Sequence, residues 1–115
     1  MNRWDVYWAE VPFEEDPSQR KTRPVIIAQD RTVYVLTLRV TSHDPRENDP
    51  YDYPLQEWKS AGLSRPSVVR IRKMAQLSPE QIGTYIGRLH PVDMVGIQIR
   101  MQAYRKERDA CRKRG

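Results

Sequence analysis

Up to residue 90 the apolar residues come in short β-branched and aromatic runs broken by turn residues, and only beyond His90-Pro91 does their spacing become that of a helix. A chain divided in this way is expected to fold as a sheet followed by one terminal helix. Asp5 to Val11 (DVYWAEV) alternates Val6 and Trp8 against Tyr7, Ala9 and Val11, which suits a strand with covered faces. Pro24 to Gln29 and Thr32 to Thr41 are separated only by Asp30 and Arg31 and read as a hairpin. In Ser67 to Ala75, Val69, Ile71 and Lys73 alternate with Val68, Arg70 and Arg72, so arginines are expected to project from one face while aliphatics enter the core from the other. Gly83 to Leu89 makes about five strands at short spacing, the pattern of a small antiparallel barrel or coiled sheet.

The helical signals are fewer. Ser78-Pro-Glu-Gln81 is a capping box with proline at the first helical position, enough for one turn. Leu55 to Gly62 supplies another turn or two, ended by the glycine. The long helix starts at His90-Pro91 and runs through Asp109, with Met94, Ile97, Met101 and Tyr104 on one line and Val92, Val95 and Ile99 on the next. That stripe is broad enough to pack on the sheet and touch a second subunit. Gly96 inside the helix costs about 1 kcal/mol relative to alanine and points to a close approach by another backbone. Ser42 to Gln56 holds three prolines and the acidic residues Asp44, Glu47, Asp49 and Asp52, and reads as a long loop.

With 115 residues and no internal repeat the chain reads as one domain, residues 1–104, followed by a basic tail, 105–115. Of the formal net charge of +5, the tail holds most, with six basic and two acidic residues between 105 and 114. The body is close to neutral, so an anion site on it has to come from local arrangement, whereas the tail attracts nucleic acid without selectivity. Nothing in the sequence has the length of an apolar membrane span or the pattern of a signal peptide, and a cytoplasmic protein is expected. Cys111 is the one cysteine and excludes an internal disulfide or a site with paired cysteines. One local arrangement stands out: Arg20, Lys21 and Arg23 crowd the start of the Pro24 strand, a placement that favours an anion beside them.

Taken in order, WDVYWAEVPFEEDPSQRKTRPVIIAQD, LRVTSHD, SVVRIRKMAQLSPEQIGTYIGRL and VDMVGIQIRMQAY resemble the MazF/PemK-like toxins of bacterial type II toxin–antitoxin pairs. The resemblance covers nearly the whole chain except the basic tail. Its most specific pieces are DVYW in the first strand, K-x-R-P-V at the second and V-T-S at the end of the third. It implies a mainly β (α+β) fold, a small SH3-like antiparallel barrel with a long C-terminal helix. It also implies a homodimer that cleaves single-stranded RNA at selected sequences without a metal or other cofactor, and that a cognate antitoxin inhibits.

Cleavage by the neighbouring 2′-hydroxyl needs a proton acceptor, a proton donor for the leaving 5′-oxygen, and donors to the negative charge that builds on phosphorus. Arg23 matches the family arginine of the R-P-V motif, Thr41 and Ser42 match the threonine-serine pair, and Arg70 matches a second arginine of some members. Each has an ordinary alternative: Arg23 as a strand-start residue, Thr41 and Ser42 as turn formers, Arg70 as an exposed strand position. Arg20, Lys21 and Arg72 are candidate phosphate contacts. Tyr51, Tyr53 and Trp58 are candidate stacking surfaces for unpaired bases, while Trp4, Tyr7 and Trp8 are assigned to the core or a dimer contact. The chain departs from the family where Gly-His-Glu-like residues precede R-P-V in some members, and where Arg72 replaces an acidic residue. The general base is therefore open, with His43 either a substitute or an exposed loop histidine. A non-catalytic barrel that binds nucleic acid or a partner peptide is the other reading of the same arginines.

Overall fold

The structure, a computed structural model, describes every residue except 13–15, 17, 32–33, 43–48 and 115, and gives only the backbone of 112–114. Six strands, β1 (Asp5–Pro12), β2 (Arg20–Asp30), β3 (Val35–Thr41), β4 (Asp52–Pro54), β5 (Val68–Leu77) and β6 (Ile82–Arg88), precede one long helix, α1 (Pro91–Arg114). They form a single antiparallel sheet in the order β4-β5-β3-β2-β1-β6. The mainly β class with a terminal helix is as expected.

The sheet is coiled without closing into a hydrogen-bonded barrel. Its edge strands, β4 and β6, do not pair, and the turn over residues 57–63 lies along β6 instead. Gly62 sits at φ +93°, where glycine is favoured, and its amide donates to the Lys59 carbonyl at 3.0 Å. A side chain on Gly87 would run into the Ala61 carbonyl, so backbone packs directly on backbone there. The expected turn ending at Gly62 thus serves as the seam.

Two strands differ from expectation. β2 begins at Arg20, because Arg20 to Arg23 pair with Pro12 to Ala9 of β1 and extend the ladder beyond the apolar run. The basic cluster is therefore strand, not approach. β4 lies in the segment expected to be loop: it is three residues long and ends in proline, so it carries no alternation to read. The expected start of β3 at Thr32 and Val33 lies outside the described residues, and described strand begins at Val35.

The main core is one face of the coiled sheet, with Val6, Ile26, Leu38, Val40, Val69 and Ile71 buried against Ile97 of α1. Ala9, Val11, Val25 and Leu77 make a smaller cluster. Trp4 is buried at φ 76°; its amide donates to the Ile27 carbonyl at 2.8 Å and its carbonyl accepts from Leu89 at 3.1 Å. These two bonds tie the N-terminus to β2 and to the approach to α1.

The helix begins where the sequence places it, with the Val92 amide donating to His90 Nδ1 at 3.1 Å. Met94, Ile97, Met101 and Tyr104 pack inward, while Val92, Val95 and Ile99 stay exposed. Between the packed residues a polar row at seven-residue intervals pins the segment around β4. Asp93, fully buried, accepts from the Tyr53 hydroxyl at 2.8 Å and from the Gln56 and Glu57 amides at 2.9 Å each. Arg100 donates to the Asp52 carbonyl, and Glu107 accepts from the Tyr51 hydroxyl. Gly96 is approached by the Tyr53 ring and not by another backbone: a Cβ there would overlap the phenol. Among the described residues no helix is long and apolar enough to cross a membrane.

Candidate active site

The start of β2, the end of β3 and the 62–67 turn enclose a cleft of about 500 Å³. Its lining includes Lys21, Arg23, Thr41 and Ser42, which are distant in sequence but adjacent in the sheet. Val25 opposes Arg39 across the β2–β3 ladder, and continuing that register by two residues brings Arg23 level with Thr41. Thr41 is buried and opposite Val68 of β5, whereas Arg23 is half-buried and Ser42 exposed. Arginine at this point is held by the strand that follows it, since Val25, Ile26 and Ile27 are almost wholly buried.

The structure adds residues that the sequence does not single out. Arg65 and Ser64 reach the cleft from the 62–67 turn, and Trp8 and Tyr85 line it from β1 and β6. Trp8 is 42% exposed and Tyr85 53% exposed, large values for aromatic residues beside cations. Tyr85 is steadied edge-on against Tyr7, ring centres 5.3 Å apart. Alternation groups Trp8 with buried Val6, but the β1–β6 pairing shifts register on both sides of Tyr7, and Trp8, opposite Pro24, is exposed while Ala9 and Val11 beyond it are buried.

Electrostatically the cleft is one-signed. Lys21, Arg23 and Arg65 line it, and no carboxylate or imidazole does among the described residues. Such a surface attracts an anion and offers it guanidinium forks, hydroxyls and backbone amides. Arg20 lies just outside, 3.7 Å from Glu10. His43 lies outside the described residues.

Five other candidates are elsewhere. Arg70 is on β5 but turned to the edge strand, where Nη1 holds Asp52 at 2.7 Å with both side chains buried. It is neither exposed nor part of the cleft, because the partner carboxylate that draws it inward comes from β4. Arg72 points to the helix side, 3.4 Å from Asp49 and stacked 5.2 Å from the Tyr51 ring. Tyr53 is 5% exposed, and burial together with its bond to Asp93 raises its pKa to about 12. It presents no free ring to a base. Tyr51 is likewise buried against Tyr104, and Trp58 packs partly into the core. Asp49 and Asp52 are thus structural partners and not free loop carboxylates.

The fold recurs in solved structures. An endoribonuclease in complex with its cognate antitoxin from a mycobacterial species superposes with a TM-score of 0.70 at 19% identity, over 90% of this chain and 92% of that one. A mycobacterial endoribonuclease gives 0.67 at 19%, over 90% and 88%. The Mycobacterium tuberculosis toxin MazF-mt6 gives 0.63 at 18%, over 83% and 91%. No curated protein matches the chain in sequence. The sequence profile of the PemK-like, MazF-like toxins matches residues 2–104. With the whole sheet and the first half of α1 inside that match, the chain belongs to the PemK/MazF-like toxin family of type II toxin–antitoxin systems.

Proposed function

We propose that the protein is a cytoplasmic toxin that cuts single-stranded RNA at the Arg23 cleft without a metal, acting as a homodimer and held inactive by a cognate antitoxin. The observation that carries this reading is the alignment of Arg23 with Thr41 in a cleft lined by cations and hydroxyls. In the reaction the 2′-oxygen bonds to phosphorus, its proton leaves to an acceptor, and the bond from phosphorus to the 5′-oxygen breaks as that oxygen gains a proton. The products are a 2′,3′-cyclic phosphate and a 5′-hydroxyl. Arg23 binds the non-bridging oxygens as their charge grows, and the Thr41 and Ser42 hydroxyls donate to the same phosphate. With a pKa above ~12, the arginine serves as a donor and not as the base.

Lys21 and Arg65 hold neighbouring phosphates, while Trp8 and Tyr85 offer faces to unpaired bases. Arg70 and Tyr53 have no part in this assignment, since their functional groups are committed to Asp52 and Asp93. The exposed row Val92, Val95 and Ile99 supports the dimer. The membership in a toxin–antitoxin family supports the antitoxin as partner.

End-group analysis tests the chemistry. Fragments of a long single-stranded RNA, cut in EDTA and read by mass spectrometry, should carry 2′,3′-cyclic phosphates opposite 5′-hydroxyls. Fragments with 5′-phosphates would contradict attack by the 2′-hydroxyl.

A further inference from the structure

The β1–β6 pairing carries a bulge beside the Arg23 cleft. Tyr7 opposes Tyr85 and Ala9 opposes Ile82, so β1 has only Trp8 between these pairs where β6 has Gly83 and Thr84. A Cβ on Gly83 would stand 3.2 Å from the Trp8 carbonyl, so glycine lets the bulge lie close against β1. Trp8, 42% exposed, stands between two concavities. One is the Arg23 cleft. The other, of about 540 Å³, is walled by Glu10, Thr22, the bulge, and Glu80 and Gln81 of the single turn Pro79–Gln81. Trp8 and Thr22 line both. Gln81 ties the far wall to β1: its Oε1 accepts from the Ser78 amide at 2.9 Å, and its Nε2 donates to the Glu10 carbonyl at 3.2 Å.

The two hollows differ in sign. Lys21, Arg23 and Arg65 line the cleft, whereas the pocket beyond Trp8 has the carboxylates of Glu10 and Glu80 and the hydroxyls of Thr22 and Thr84, with no lysine or arginine among the described residues. A phosphate is attracted to the first and repelled by the second. What suits the second is a flat ring for the indole that turns N–H groups toward a carboxylate. Guanine is the RNA base whose pairing edge presents N–H donors on two neighbouring positions, N1 and N2, which one carboxylate accepts together, while its O6 takes a hydroxyl proton. Cytosine and adenine would set the lone pair of N3 or N1 against that carboxylate, and uracil has a single N–H between two carbonyls. Glu10 is the carboxylate held on a strand, and its 3.7 Å contact with Arg20 leaves its side chain 61% exposed. We propose that the pocket takes a guanine flanking the scissile phosphate, stacked on Trp8 and read at N1 and N2 by Glu10. This assignment rests on the RNA reading of the Arg23 cleft and adds the base selected beside it.

Binding of an RNA that cannot be cut tests it on the full chain. The probes are fluorescently labelled, single-stranded 2′-fluoro oligouridines with one central guanosine, inosine or adenosine, titrated by anisotropy. They lack the attacking hydroxyl, so base selection is read whether or not the cleft cleaves. The guanosine probe should bind about tenfold or more tighter than the inosine probe, which lacks only the N2 amino group, and than the adenosine probe. Glu10→Gln, a change at an exposed strand position, should bring the ratio of guanosine to inosine affinity close to one. Equal binding of the guanosine and inosine probes by the wild type overturns the proposal and leaves the RNA reading of the cleft standing. A ratio unchanged in Glu10→Gln does the same. Binding of none of the probes overturns both.

Discussion

Asp93 shows how much one side chain fixes in this fold. It is fully buried and accepts three hydrogen bonds, one from Tyr53 and two from the Gln56 and Glu57 amides. Asp93→Ala strands all three donors and should cost about 3 kcal/mol in urea unfolding. The same contact sets an alkaline limit through Tyr53, whose pKa rises from 10.0 to about 12 on folding, chiefly by burial and then by Asp93. A group raised on folding contributes its stability below its unfolded pKa and loses it as pH climbs through the folded one. Stability should therefore fall between about pH 10 and pH 12, and Tyr53→Phe should flatten that part of the profile while lowering stability at neutral pH. Sequence assigned Tyr53 to RNA stacking because an aromatic residue among prolines and acids reads as loop. Its burial depends on a carboxylate 40 positions away, which no local pattern reveals.

At the scale of elements, β1, β2, β3, β5, β6 and the helix start were legible because each carries alternation, a continuous apolar or β-branched run, a capping residue or a turn glycine. β4 was not, since a strand of three residues ending in proline has no period of its own. Pairing with β5 makes it a strand, and the helix pins it: Asp93, Arg100 and Glu107 bond to Tyr53, to Asp52 and, just before the strand, to Tyr51. Polar residues at intervals of seven beside the packed Ile97, Met101 and Tyr104 were the signal for a helix face gripping something polar. Gly96 belongs to that grip. Gly96→Ala gains about 1 kcal/mol of helix propensity, yet its methyl overlaps a phenol that Asp93 holds in place. Overpacking of this kind costs about 1–3 kcal/mol, so the net should be a loss of up to about 2 kcal/mol, read as a lower midpoint in urea.

For the whole molecule, the candidate site was legible in part. Arg23, Thr41 and Ser42 line one cleft because adjacent strands carry them, so the motif order already contained their proximity. Trp8 comes in by pairing opposite Pro24 on the neighbouring strand, whereas Arg65 and Tyr85 come from a turn and from β6, parts of the chain that the motifs do not link to the cleft. Asp52 on β4 turns Arg70 away, where alternation alone predicts an exposed arginine. The exposed Val92, Val95 and Ile99 row predicts association: sedimentation at micromolar concentration should give a dimer, and Val95→Glu with Ile99→Glu should shift it toward monomer. A wild-type monomer, or a variant dimer of unchanged strength, would count against that face. The cleft itself is tested most directly by digesting single-stranded RNA in EDTA with the wild-type protein and with Arg23→Ala. The predicted result is cleavage by the wild type and a loss of about 100-fold or more in the variant, with RNA binding retained in both. Binding without cleavage by the wild type, or equal cleavage by the variant, would contradict it.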